Sequence, residues 1–421
     1  FWLSHLGTVH PTKMVIQKIV IAGAGIIGNS IAYYLAKNHH GSHNLSVTLI
    51  DPVGVCPAAS AKAGGFLAEE WRDGTPLEEL HRLGFRLHQE LSEELKHIDY
   101  RRLTSRAAAV TNNHLQRKHN SQKVPLTPME WVDGDVVLAS AQTGTEKNTA
   151  QVHPKKLCEK MWDYTSSKKN FTLKIGRVVE AILSSKEKQD GRLLSSVILE
   201  DGSIIDADAI VIAMGPWTEE INSWFPPTDR KVQVGLTYLP TIYGVKSHSM
   251  LVKTEKVLSE AVFFESESPD FDIEVYPRPD GDSYVTGSSH ITFNMTERPG
   301  EEAVEEIRKK ELMDAMQQTS SHVLGGKDPH TVQACYWPET HDGIPVISPL
   351  PSVKNVMVAT GHNVWGILQG PATGLAVAEW LIEGKVNCID IEPFAIGPST
   401  SRHRRMMQSD MYETSIVYDE L

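Results

Sequence analysis

Three glycines and one aspartate carry the clearest chemistry in this sequence. Gly23, Gly25 and Gly28 stand in the run Gly23-Ala24-Gly25-Ile26-Ile27-Gly28, directly after the apolar stretch Val15 to Ala22. At that spacing the first glycine permits a tight turn and the second lets backbone N–H groups approach a pyrophosphate. The third lets the following helix close on the strand. Asp51 ends a second apolar run, Leu45 to Ile50, where a carboxylate accepts from the hydroxyls of an adenosine ribose. The expected chemistry is dinucleotide binding. The turn alone does not separate a flavin from a nicotinamide cofactor, because both present the same diphosphate.

Those residues need a strand, a turn, a helix and a second parallel strand to hold them. Val15 to Ala22 reads as a buried strand, Asn29 to Lys37 as a helix and Leu45 to Ile50 as the next strand, which together make a right-handed βαβ unit. Leucines at 80, 83, 87, 91 and 95 predict an amphipathic helix over Leu77 to Ile98. Further strands are expected over Phe171 to Ile182, Ser196 to Ile205 and Ala209 to Ala213. A hairpin is expected between Ile273–Pro277 and Ser283–Gly287 around Pro279-Asp280-Gly281-Asp282. Helices follow over Glu301 to Ser320 and Gly370 to Glu383.

At 421 residues the chain exceeds the length at which one core stops growing, so two domains are expected. A net charge of −12 and the lack of a Lys/Arg stripe argue against nucleic acid as a partner. The short basic run Arg402-His403-Arg404-Arg405 reads as a solvated tail. Cys56, Cys158, Cys335 and Cys388 lie far apart without CxxC spacing, which predicts reduced thiols, no metal site and a cytoplasmic protein. No apolar run is long enough to span a bilayer. Because the sequence opens with Phe1 and Met14 precedes the first strand, a targeting peptide further upstream stays open.

Several later segments resemble the D-amino acid oxidase superfamily of FAD-dependent oxidoreductases, in that family's order. They are Ala59-Ser60-Ala61-Lys62-Ala63-Gly64-Gly65-Phe66-Leu67, Gln151-Val152-His153-Pro154, the strand from Asp206 to Trp217 and Asp342-Gly343-Ile344-Pro345. The last is Gly361-His362-Asn363-Val364-Trp365-Gly366-Ile367 with its following helix. The wording around Lys62 to Ala68 is most similar to a little-characterised eukaryotic branch of that superfamily. The resemblance implies an α/β fold: a Rossmann-type, glutathione-reductase-like FAD-binding domain with an inserted β-rich α+β substrate domain. Residues 14–100, 152–231 and 340–396 would form the first, and 101–151 and 232–339 the second. Residues 1–13 and 400–421 would be tails. It also implies FAD contacts at Gly23, Ala24, Gly25, Ile27, Gly28, Asp51, Ser60, Lys62, Ala63, Gly64 and Gly65. Val178, Met214, Gly215, Trp217, Asn363, Gly366 and Ile367 complete that set.

The substrate end departs from the family. Glycine-oxidase-like members clamp a substrate carboxylate with an arginine just before the proline that precedes the Asp-Gly pair. Here that position is Trp337, ahead of Pro338, and a second basic position aligns with Val364. Losing one charge-assisted hydrogen bond weakens carboxylate binding about 10-fold to 100-fold. Arg278 is the expected replacement anchor, and Trp337, Trp365 and His362 complete the expected reaction site. Cys335 resembles in placement the covalently flavinylated cysteine of monomeric sarcosine oxidase, which sets a thioether beside a non-covalent flavin as alternatives. The expected activity is oxidation of a C–N bond of an amine or amino-acid-like substrate by hydride transfer to flavin N5. Oxygen or another acceptor would then reoxidise the flavin. The alternative is a flavin-bearing interaction protein of little turnover, for example in membrane trafficking.

Overall fold

The computed structural model describes residues 16–39, 45–121, 129–184, 192–266, 272–292 and 294–404. Numbered along the chain, the strands of its two large sheets begin with β1 Lys18–Ala22, β2 Ser46–Asp51, β3 Thr104–Val110, β4 Val137–Gly144, β5 Phe171–Ile175 and β6 Ala209–Ile212. They continue with β7 Ile242–Lys253, β8 Glu260–Ser266, β9 Ile273–Pro277, β10 Asp282–Thr292, β11 Thr331–Thr340, β12 Val346–Pro349 and β13 Val356–Thr360. The helices used below are α1 Ile26–His39, α2 Glu78–Leu95, α3 Pro154–Ser166, α4 Glu306–Thr319 and α5 Gly366–Glu383.

The first sheet has the order β12-β13-β6-β1-β2-β5 and is parallel apart from β12. Its central strands are apolar on both faces, as a sheet covered on both sides requires. Ile19, Ile21, Val47 and Leu49 pack towards α1, while Val20, Ile50, Ile210 and Ile212 face a second core. This is the Rossmann-type α/β architecture that the βαβ reading expected. The helix after the turn begins at Ile26, earlier than the expected Asn29, so it includes the last glycine of the turn.

The second sheet runs β11-β7-β10-β9-β8-β3-β4 and gathers its strands from both sides of α3 in the sequence. Both of its faces are used. One face sends Val262, Val275, Val285, Met250 and Val252 against Leu312, Ala315 and Met316 of α4. The hairpin joining β9 to β10 pairs Tyr276 with Tyr284 in the expected register. Two expected strands are each divided in two. Phe171–Ile175 and Val178–Leu183 belong to different sheets, because the chain turns at Gly176. Leu194–Leu199 and Ile204–Asp206 pair with each other across a turn at Gly202, whose φ of +79° a β-branched residue would resist.

Pro371 lies inside α5 and has no N–H to give the carbonyl of Ile367. That carbonyl instead receives a hydrogen bond from His88 Nε2 of α2 at 2.8 Å. Burial pushes the pKa of His88 down to about 4, so the ring is neutral and carries its proton on Nε2. A helix residue thus supplies the donor that the proline removed, at the end of α5 that faces the cavity described below.

Two expectations are corrected by packing. Cys56 and Cys158 are paired as a disulfide, with Cα atoms 6.5 Å apart although they stand 102 residues apart in sequence. The loop after β2 lies against α3, so sequence distance says nothing of their separation. This pairing removes the thiol-based argument for a reducing compartment. Arg402 is not solvated: it is 1% exposed, and its guanidinium donates to the carbonyls of Pro345 and Ile344 and to Asp342. The terminal residues 1–15 and 405–421 lie outside the described residues. Among the described residues no helix is long and apolar enough to cross a membrane.

Substituting His88→Phe leaves the Ile367 carbonyl buried without a donor, at a cost of about 1–3 kcal/mol. A group held neutral by a depressed pKa stabilises fully above its unfolded value and loses that contribution as pH falls towards its folded one. The stability difference between wild type and variant should therefore be largest at neutral pH and narrow by about pH 4.5. Urea unfolding at both pH values measures it, and an equal difference at the two would refute the assignment.

Candidate cofactor and substrate cavity

β1 ends where three strands meet. The N–H of Gly23 donates to Ile50 O at 2.8 Å, and that of Ala213 donates to Ala22 O at 2.8 Å. A Cβ on Gly23 would lie 2.2 Å from Ala213 O, and one on Gly28 would lie 1.9 Å from Gly23 O, so both positions are closed to any side chain. Gly25 differs: a Cβ there would meet only Ser60 Oγ, at 3.1 Å, and would otherwise enter an open cradle at the start of α1. Ser60 Oγ accepts from Ile26 N–H at 2.9 Å, which leaves its own proton free for an anion.

Asp51 is buried beside this cradle. Its carboxylate accepts from the N–H groups of Ala24 at 3.0 Å, Val53 at 2.9 Å and Gly54 at 3.0 Å. Burial raises its pKa, against the opposing pull of those three donors. Oδ1 takes the donors from Val53 and Gly54, so the remaining lone pair, on Oδ2 beside the Ala24 donor, is the one open to a ribose hydroxyl. Donors at the cradle, a helix N-terminus and an adjacent carboxylate fit an adenine dinucleotide.

From the cradle a single cavity of about 640 Å³ continues to the second sheet. Gly23, Gly25, Ile27, Asp51, Ser60, Ala63, Gly64 and Gly65 line its near end. Val178, Met214, Gly215 and Trp217 line one side, and His362, Asn363, Trp365, Gly366 and Ile367 line another. The last three open α5, whose N-terminus directs a partial positive charge into the cavity. His362 is buried, shares a hydrogen bond with Thr373 Oγ1 at 3.0 Å, and has its pKa pushed down to about 3 by burial. It is therefore neutral.

Strand alternation builds the far wall. β9 sends Ile273 and Val275 to the α4 core and Glu274 and Tyr276 to the cavity, while β8 contributes Phe263 opposite Glu274. β10 adds Tyr284 and Thr286, and β7 and β11 add Ser247, Cys335 and Trp337. Tyr276 stacks between Phe66 and Tyr284, at centroid distances of 5.5 and 5.9 Å. Trp71 meets Phe263 at 5.0 Å and Trp365 at 5.9 Å. A Cβ on Gly64 would fall 2.2 Å from the Tyr276 ring, so only glycine lets this loop lie against the sheet.

Four expected site residues stand behind the wall rather than on it. Ala24 and Gly28 shape the turn from within. Lys62 Nζ donates to Glu302 at 2.6 Å and to Ala334 O at 2.8 Å, tying its loop to β11. Arg278 corrects the expected substrate anchor. It is buried beyond Tyr284, with its guanidinium 5.6 Å from that ring and 3.4 Å from His153 Nε2, and it does not line the cavity. The hairpin turns at Arg278, so its side chain leaves the wall that Glu274 and Tyr276 form. Trp337 and Val364 do line the cavity and bring no charge. Cys335 lines it too, with burial pushing its thiol up to about 12.

Reading the sequence alone missed Glu274, Tyr276, Phe263 and Trp71. The available signal was an acid at 274 between the buried Ile273 and Val275. It also missed Arg177, the only Lys or Arg among the described lining residues, which pairs with Glu220 at 2.9 Å and Glu297 at 3.1 Å.

Comparison with known proteins agrees with this geometry. A family model described as FAD dependent oxidoreductase (DAO) matches residues 18–380. The Schizosaccharomyces pombe protein named "Putative oxidoreductase C1F5.03c" is 30% identical over 401 residues, covering 89% of this chain and 97% of that protein. Glycine oxidase of Bacillus licheniformis is 25% identical, covering 91% of this chain and 98% of the relative. Among solved structures, glycine oxidase from Geobacillus kaustophilus superposes with a TM-score of 0.70 at 22% identity, covering 91% of this chain and 100% of that one. L-proline dehydrogenase from P. horikoshii gives 0.69 at 17%, covering 90% and 97%. Because the match runs from β1 through most of α5 and spans both sheets, the chain belongs to the D-amino acid oxidase family of FAD-dependent oxidoreductases.

Proposed function

We propose that the chain oxidises a carbon–nitrogen bond of an amine in the chamber between the start of α5 and the aromatic face of the second sheet. The observation that carries this reading is the continuity of the cavity, which touches Gly25 and Asp51 at one end and Tyr276, Tyr284 and Trp365 at the other. Gly25, Ser60 and Asp51 would hold a dinucleotide at the first end, and the second end would be left for a substrate. The relatives named glycine oxidase and L-proline dehydrogenase carry amino acids in their names, whose α-carbon bears an amine nitrogen.

Bound there, FAD supplies a two-electron acceptor for a hydride from the carbon beside that nitrogen. The chain's own residues set the conditions. The amides that open α5 favour negative charge at their end of the cavity, and the neutral His362 adds no competing cation. The rings of Phe66, Trp71, Phe263 and Tyr276 exclude water and restrict how a small substrate lies. No clamp for a carboxylate stands at Trp337 or Val364, which disfavours simple amino acids. Oxygen or another acceptor completes the cycle.

Two outcomes are expected. Anaerobic addition of amines should bleach the visible flavin absorption of the purified protein, whereas full colour across a broad panel would favour a flavin-bearing protein without turnover. The thiolate is the nucleophilic form of cysteine, and burial keeps Cys335 a thiol. Acid precipitation should therefore release the flavin into the supernatant, and yellow colour retained on the chain would show a covalent link.

A further inference from the structure

Glu274 sits on the cavity wall that the second sheet forms. It lies among rings: Phe263 is its cross-strand neighbour, and Tyr276, two residues on, donates its phenolic hydroxyl to Glu274 Oε2. No lysine or arginine among the described residues pairs with it. Arg177 is committed to Glu220 and Glu297, and Arg278 lies behind Tyr284. Burial raises the pKa of Glu274, and only the Tyr276 hydroxyl opposes that rise. The remaining oxygen is thus an acceptor without a cation in a low-dielectric, aromatic chamber.

Ring faces favour cations there too. Arg72 already holds its guanidinium 5.6 Å from the Trp365 ring. We infer that Glu274, within the box formed by Phe66, Trp71, Phe263, Tyr276 and Trp365, is the specificity residue of the site and receives a substrate ammonium. An ammonium held on Glu274 has no lone pair, so it is not the nitrogen being oxidised. The substrate therefore carries two amine centres, one cationic on Glu274 and one neutral towards the cofactor end: a diamine or polyamine. A carboxylate at the same place would meet like charge.

This inference rests on the amine-oxidation reading above, and its test separates the two. The probes are 1,4-diaminobutane, butylamine and 4-aminobutyrate, which share one chain and differ at the far end, with longer and shorter homologues of each. In anaerobic reduction of the FAD-loaded protein, the diamine should bind about 10-fold to 100-fold more tightly than butylamine, the range for one charge-assisted hydrogen bond. The amino acid should bind more weakly than either. Glu274→Gln, which keeps an acceptor for Tyr276, should abolish the diamine's advantage, read as the ratio of diamine to butylamine affinity measured on the same variant.

Equal affinities for diamine and butylamine, a preference for 4-aminobutyrate, or an advantage that survives in E274Q would each overturn the assignment. If E274Q does not fold, the wild-type ranking alone decides. If no amine reduces the flavin, the oxidase reading fails, and binding is read instead from perturbation of the flavin spectrum. Butyltrimethylammonium has no lone pair to be oxidised and should bind more tightly than butyrate. Tighter binding by butyrate would end the proposal.

Discussion

The architecture depends on how closely the chain can pack where β1 turns into α1. Gly28 lies so near the carbonyl of Gly23 that no side chain fits between them, and Gly23 presses on Ala213 with the same intolerance. Because of that approach, the hydrogen bonds from Gly23 to β2 and from Ala213 to β1 close together, and the ends of β1, β2 and β6 meet at one point. Asp51 and the first turn of α1 share that point, so the buried carboxylate and the open cradle beside it are fixed by one backbone contact. Loosening it would separate the strand ends and scatter the donors.

α5 is held to the same frame by a different compromise. A proline within its second turn frees the Ile367 carbonyl, and a neutral buried histidine from α2 satisfies it. The cavity-facing end of the helix is thereby anchored by a side chain from another element as well as by its own ladder. The carbonyl that the proline frees, close to the cavity-facing end of the helix, is in this way tied to the core.

The second sheet separates core packing from the cavity wall. Its α4 face is apolar, Phe264 included, and only has to pack. Its other face mixes rings with Glu274, Thr286 and Ser247, and it meets the cofactor end of the cavity across the Gly64 loop. The two residue sets alternate along the same strands, so the sheet can change substrate preference on one face without disturbing the core on the other. On this wall Trp337 brings no charge and Glu274 brings an acid.

Much of the cofactor end was legible in order along the chain. Gly23, Gly25, Gly28 and Asp51 stand at spacings set by local backbone geometry, and a turn followed by a helix imposes its residue requirements within a few positions. The βαβ order and the hairpin at Pro279 to Asp282 were legible for the same reason. Strand breaks at Gly176 and Gly202 were not, since apolar content alone does not reveal a turn between two strands. Arg278 looked free to anchor a substrate, and Arg402 looked free to meet solvent, because a sequence does not say what lies against a side chain. Cys56 and Cys158 looked remote because chain distance hides the contact of a loop with a helix. What the sequence alone determined was the glycine turn, the βαβ unit around it and the family. Which face of β9 meets the cavity, and so Glu274's place in it, was decided only when the strands of both sheets came together. Period-two alternation divides residues between two faces but carries no information about what each face will meet.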